Sequence, residues 1–342
     1  MLLTLLLITI IISSIFTIFF ERLFSKYSVF MDNPNGRSSH KKPTPTSGGL
    51  AIIISYFIFI YLVNMFNKID GYTFSILVIS LLPIIIIGLF DDFREANIFF
   101  RLFTQFFSAS LIVYHFQVSN DIFYADSYTS QSALLIITLS IILSVWLMNL
   151  YNFMDGIDGY ACLECIFISL SASLLAYYNN SNSLMYLYLA GLGAANIGFL
   201  VRNWYPAKIF MGDTGSVSLG CILAFYIFFS ASESILSIYT WLILLSIFIA
   251  DSSYTLLVRI VTKKDIMQAH LSHAFHLLTI KQNSHLFTIK WMMITNIIWV
   301  FPLALLSNIY MSYHIVITII AYLPLLFYLI KLGAGLEQNK NL

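Results

Sequence analysis

The chain alternates long apolar runs of little or no charge with short polar gaps. Eleven such runs recur, with approximate limits 2–20, 47–66, 73–90, 98–117, 131–150, 160–178, 184–201, 214–231, 236–258, 290–308 and 313–331. Each is near the ~20 residues that carry a helix across a ~30 Å hydrocarbon core, so each is predicted to be a membrane-spanning helix. The gaps leave no room for a separate soluble domain. The pattern therefore predicts an all-α polytopic membrane protein, a single transmembrane domain over 1–342. The first run lacks a basic n-region and a small-residue cleavage site, and reads as a retained span rather than a signal peptide.

Charge orients the spans. Of the 17 Lys and Arg residues, sixteen, Arg101 near the start of its run among them, fall in gaps or at run ends on one side or in the tail after the last run, and Lys68 alone falls on the other. Positive charge marks the cytoplasmic face, so the N-terminus is expected outside and the C-terminus inside. The cytoplasmic loops are then 21–46, 91–97, 151–159, 202–213 and 259–289.

Composition agrees. The chain is 59% hydrophobic and 10% charged, with mean hydropathy +0.86, against about 25% charged in a soluble domain. A net charge of +1, with no basic block beyond Lys41-Lys42 and Lys263-Lys264, gives no reason to expect nucleic acid. Cys162 and Cys165 open an apolar run with no second pair nearby, and read as packing residues. G-L-G-A-A-N-I-G at 191–198 lies inside a run, where small residues serve close helix packing. No P-loop is present.

The acids change the picture. Asp91, Asp92, Asp155, Asp158 and Asp213 all fall at run ends on the predicted cytoplasmic side, where ionisable groups are costly unless solvated, paired or metal-bound. Asp91 and Asp92 are adjacent, point to different sides of a helix and so divide roles. In N-L-Y-N-F-M-D-G-I-D-G the polar residues Asn149, Asn152, Asp155 and Asp158 recur every three positions, and Gly156 and Gly159 break the helix and open the backbone to a ligand. In N-W-Y-P-A-K-I-F-M-G-D-T-G-S, Asp213 is either a helix cap or a metal ligand beside an anion-favouring helix start, with Lys208 adding positive charge. His270, His273 and His276 are three apart and suit phosphate contact better than zinc. Lys41 and Lys42 suit phosphate or anionic headgroups.

Hard oxygen ligands suit Mg²⁺, with Mn²⁺ as the other candidate, and basic groups suit a diphosphate. Together with a membrane for a lipid co-substrate, they describe phosphoryl transfer at the bilayer surface. The alternative, a multi-span secondary transporter, would put its charges at the midplane between repeats, and neither feature is seen.

The order D-D, N-x-x-N-x-x-D-G-I-D-G-x-A, F-M-G-D-T-G-S and a histidine motif resembles the polyprenyl-phosphate N-acetylhexosamine-1-phosphate transferases, glycosyltransferase family 4. The resemblance implies transfer of a sugar-1-phosphate from a UDP-N-acetylhexosamine to undecaprenyl phosphate, with release of UMP, in a bacterial inner membrane. It implies the first step of a lipid-linked surface glycan such as O-antigen lipopolysaccharide, and leaves oligomeric state open. Asp91 then resembles the residue that deprotonates or orients the lipid phosphate. Asp92 and Asp213 match magnesium positions. Asp155, Gly156 and Asp158, with Asn152, match the nucleotide-binding stretch. Asn203 and Phe210 match uracil-holding positions, Lys41 and Thr46 a nucleotide-contacting loop, and His270 and His273 a phosphate-contacting motif. The chain departs from the pattern at Phe93, where relatives often carry a third acid, and at the H-x-x-H spacing.

Overall fold

A computed structural model describes residues 2–34, 42–67, 72–116, 130–265 and 270–336. It is an all-α polytopic membrane protein. Among the described residues, ten helices are long and apolar enough to cross a bilayer, and a bent pair raises the number to eleven if it is one broken span. The chain divides into two compact units, Met1–Ile238 and Tyr239–Leu342, where the sequence reads as one domain.

The first unit holds α1 (Leu2–Tyr27), α2 (Gly49–Asn67), α3 (Tyr72–Phe93), α4 (Ile98–His115), α5 (Ser130–Phe153), α6 (Tyr160–Asn179), α7 (Met185–Asn203) and α8 (Gly212–Ser232). A two-residue antiparallel ribbon pairs β1 (Met31–Asp32) with β2 (Thr44–Pro45). Helix α8 is the hub and packs on α2, α3, α4 and α5. It is almost wholly buried among them. Glycines set how closely its neighbours approach. A Cβ on Gly49 would stand 2.1 Å from Gly215 Cα, one on Gly88 2.7 Å from Thr214 Cα, and one on Gly220 2.6 Å from Met148 Cα.

Helix α7 packs on α1, α2 and α6. The 191–198 stretch serves packing as expected: Gly191 faces the Phe59 ring and Gly198 lies against Ser13. Ser13 donates to Ala195 O at 2.6 Å. Cys162 and Cys165 are buried free thiols beside Asn196. Arg202 forms a two-pronged ion pair with Glu21, at 2.5 and 2.7 Å, tying the ends of α7 and α1.

The second unit holds α9 (Ile238–Leu244, whose first residue closes the first unit), α10 (Ser246–Val261), α11 (Ala274–Gln282), α12 (His285–Thr295), α13 (Phe301–Ile309) and α14 (His314–Leu332). Two expected elements differ here. The run at 236–258 is broken: α9 and α10 are bent by 76°. The run at 290–308 becomes α12, a π turn over Asn296–Val300, and α13. Pro302, in the first turn of α13, has no N–H for an ordinary helical bond, and the wider π turn before it takes up the mismatch.

Candidate active site

The polar end of the first unit is built by the ends of α3, α5 and α8, the first turns of α4, and the segments leading into α2 and α8. Two predicted loops are partly helical. Helix α3 continues through Asp91 and Asp92, and α5 continues through Asn152.

The adjacent acids part company, as neighbours on a helix do. Asp92 turns to the start of α8. Its Oδ1 accepts Asp213 N at 2.8 Å, and its Oδ2 accepts Thr214 N at 3.2 Å, Thr214 Oγ1 at 2.7 Å and Ser47 Oγ at 2.7 Å. A carboxylate from a different helix thus satisfies the first N–H groups of α8, the work usually done by an N-cap side chain. Neither Asp213 nor Thr214 caps its own helix; the N-cap is Met211, with no side-chain bond.

Gly212 makes this approach feasible. Its φ is +71°, and a Cβ there would lie 2.5 Å from Asp92 Oδ2 and 2.6 Å from Thr46 Oγ1. The half-buried Thr46 is held through its N–H, which donates to Phe30 O at 2.7 Å. The 45–49 segment is pinned by Phe210 N to Pro45 O, Gly48 N to Phe210 O and Gly49 N to Met211 O, at 2.8, 2.9 and 3.0 Å.

Asp91 turns to α4. Its Oδ1 accepts Ala96 N at 2.7 Å, and its Oδ2 pairs with Arg101 at 3.1 Å. The same guanidinium reaches Asp213 Oδ2 at 2.7 Å. The other oxygen of Asp213 accepts Asn152 Nδ2 at 2.8 Å, and Asn152 also bonds Ser216 Oγ at 3.0 Å. Arg101 was counted in the sequence only as a topological charge. A charged residue one turn inside an otherwise apolar helix needs a partner, and that was the available signal. Asn149 faces elsewhere and bonds Gln105 at 2.7 Å.

In the D-G-I-D-G turn the two acids differ. Asp158 accepts Ala207 N at 2.9 Å, fastening this turn to the 203–208 loop. Asp155 is half-buried, and among the described residues no group hydrogen-bonds its carboxylate. Burial, reinforced by the carboxylates of Asp213, Asp92 and Asp158, pushes it well above the usual carboxylate range. Gly156 beside it is exposed. Asn203 is buried, donates to Ile209 O at 3.0 Å and leaves Oδ1 without a partner. Phe210 is half-buried and Lys208 exposed. Lys41 lies outside the described residues.

The second unit holds the histidine motif, and its organiser is Asp251, which sequence reasoning missed because it sits within an apolar run. Asp251 accepts Ala274 N at 2.9 Å, Phe275 N at 3.1 Å and Thr255 Oγ1 at 3.0 Å, and its Oδ1 lies 3.3 Å from His273 Nδ1. It thereby caps α11 and fixes the buried His273. His270 stacks on His273 with centroids 5.0 Å apart, and its Nδ1 lies 3.0 Å from Ser272 Oγ. Burial, then the nearby charges of His273 and Arg259, lowers His270 to about 4. Burial and then His273 lower His276 to about 3.

Five carboxylates thus meet at one end of the first unit, with Arg101 bridging two of them. Such a surplus of negative charge favours a bound cation. Among the described residues, no group of three or more His, Cys, Asp or Glu side chains is arranged as a complete metal cage. Mg²⁺ does not require one, since it is usually held by one or two carboxylates, waters and substrate phosphates.

Residues 74–231 match the model of the family described as Glycosyl transferase family 4. The match contains all five carboxylates and excludes the histidine motif. The chain is 28% identical over 268 residues to a phospho-N-acetylmuramoyl-pentapeptide-transferase of Prochlorococcus marinus strain MIT 9312, covering 72% of this chain and 74% of the relative. It is 27% identical over 303 residues to a probable undecaprenyl-phosphate N-acetylglucosaminyl 1-phosphate transferase of Bacillus subtilis strain 168, covering 86% and 83%. A phospho-N-acetylmuramoyl-pentapeptide-transferase of Kosmotoga olearia is 35% identical over 198 residues, 54% of this chain and 60% of the relative.

Proposed function

We propose, from the match of residues 74–231 to the glycosyl transferase family 4 model, that the chain transfers a sugar-1-phosphate from a UDP-N-acetylhexosamine to undecaprenyl phosphate. The observation that carries this reading is the meeting of Asp91 and Asp213 at Arg101, with Asn152 on the other oxygen of Asp213, at one end of a membrane-embedded bundle. Positioning and charge neutralisation are what phosphoryl transfer asks of a protein. In the net reaction an acceptor phosphate oxygen bonds to the phosphorus bearing the sugar. The bond from that phosphorus to the UMP oxygen breaks, and UMP leaves.

Mg²⁺ would be held by Asp213 and Asp155, and when bound it neutralises phosphate charge. Asp92 is the less suitable ligand, because four donors already occupy its two oxygens. Asp91 orients the acceptor phosphate, and Arg101 fixes Asp91 and Asp213 relative to each other. Asp158 and the 203–208 loop shape the nucleotide site, with the unsatisfied Oδ1 of Asn203 and the ring of Phe210 on uracil. His270 and His273, in the second unit, suit phosphate contact by residue type. The charge distribution supports a cytoplasmic location for the acidic end, in a bacterial inner membrane, with the N-terminus outside.

A second donor, a UDP-N-acetylmuramoyl-pentapeptide, is favoured by the names of two of the relatives. The alignment with the N-acetylglucosaminyl relative covers more of this chain, which supports the simple amino sugar. Purified protein with undecaprenyl phosphate, Mg²⁺ and a panel of UDP-amino sugars tests this, read by mass spectrometry of the lipid product. A lipid-diphospho-N-acetylhexosamine is the expected product. Product from the muramoyl-pentapeptide donor alone would overturn the donor assignment.

A further inference from the structure

At the end of the first unit opposite the acids, α2, α3, α7 and α8 surround a cavity of about 180 Å³. Its wall includes Ile60, Leu77, Phe225 and Phe229, with Asn64, Thr73, Tyr188 and Tyr226 as the members that carry polar atoms. The Tyr188 hydroxyl donates to Asn64 Oδ1 at 2.5 Å and the Tyr226 hydroxyl is paired with that of Tyr56, so most of the wall left to a ligand is hydrocarbon. A dry apolar cavity of about 150 Å³ takes a benzene-sized ligand. This one has room for a hydrocarbon segment of that bulk or slightly more.

Position names the occupant. Two of the helices that line the cavity, α3 and α8, carry Asp91, Asp92 and Asp213 at their other ends. Along α3, Leu77 and Asp92 are separated by ~22 Å at 1.5 Å per residue. A lipid with its phosphate at the acids therefore needs a chain that crosses most of the ~30 Å hydrocarbon core to reach the cavity. An extended undecaprenyl chain is longer than that. We propose that this cavity binds the far end of the acceptor's isoprenoid chain and so selects acceptors by length. The proposal rests on the acceptor named above. Lipid around the protein is itself apolar, so the gain comes from packing and is modest.

The test has two arms. In the first, the KM for undecaprenyl phosphate is compared with that for farnesyl phosphate, whose chain is shorter than the ~22 Å between the two ends. The wild type is expected to favour the long acceptor about fivefold. Leu77→Phe, which fills the cavity, is expected to raise KM for the long acceptor alone and leave kcat and the short acceptor unchanged. An unchanged preference, or equal loss with both, overturns the proposal. In the second arm, undecaprenyl phosphate carrying a photoreactive group at its far end is crosslinked to wild-type protein, beside a phospholipid carrying the same group at an acyl end. Labelling near Ile60, Leu77 or Phe229 by the isoprenoid probe, competed by unlabelled undecaprenyl phosphate, supports it. Labelling there by the phospholipid probe alone overturns it. This arm needs no turnover, so failure of the cavity assignment is separable from failure of the reaction assignment.

Discussion

The carboxylate of Asp92, on the last turn of α3, accepts the backbone N–H of Asp213 at the first turn of α8, 2.8 Å away. That bond makes the placement of Asp213 depend on another helix. Asp92→Ala would remove both acceptor oxygens and leave the N–H groups of Asp213 and Thr214 without this partner. The expected loss of stability is about 2 kcal/mol, as for removing a strong helix cap. Thermal unfolding in detergent measures it, and Asp92→Asn is expected to fall between the two.

Arg101 is expected to matter for turnover. Removing it leaves Asp91 and Asp213 without their shared cation, and a charge-assisted bond of about 1.5–3 kcal/mol corresponds to roughly 10–100-fold in rate. Arg101→Ala should lower kcat by that order. Arg101→Lys should recover only part, because an ammonium lacks the guanidinium fork that spans both acids. Steady-state kinetics on the two variants checks this, and equal activity in both would count against a bridging role.

Asp155 and Asp158 should separate. Asp158 holds Ala207 N, so Asp158→Ala is expected to loosen the 203–208 loop and raise KM for the UDP-sugar about tenfold, with a smaller effect on kcat. Asp155 has no such bond, and Asp155→Asn is expected to lower kcat and weaken Mg²⁺ dependence with little change in protein stability. The reverse pattern would exchange the two roles.

These distinctions mark where the sequence stopped. The convergence of D-D, D-G-I-D-G and G-D-T-G-S was legible, because alternating spans must return successive motifs to the same face. The partners of Asp92 were not, since they are two backbone N–H groups and the hydroxyls of Thr214 and Ser47, all distant in sequence. Arg101 was hidden by a charge count that explained it too cheaply. Asp251 was hidden within the 236–258 run, whose hydropathy gives length but not direction, and whose break at Leu245 carries neither Pro nor Gly.

Acid should destabilise the second unit. His276 and His270 sit at about 3 and about 4 in the folded protein, below the ~6.5 of an unfolded chain. Between those values the unfolded state binds more protons, so stability is full above pH ~6.5 and declines as pH falls towards 4 and then 3. The unfolding temperature should drop over that range, and His276→Gln should flatten the drop. An unchanged slope in that variant would show that His276 does not carry it.

The proposed reaction exchanges one phosphoanhydride for another, so it should run in both directions without ATP. Labelled UMP, added to purified protein with UDP-N-acetylhexosamine, undecaprenyl phosphate and Mg²⁺, is the most direct probe. Label appearing in the UDP-sugar, at a rate that Asp213→Ala abolishes, is the expected result. No exchange with any UDP-amino sugar, in protein shown to bind the nucleotide, would contradict the account.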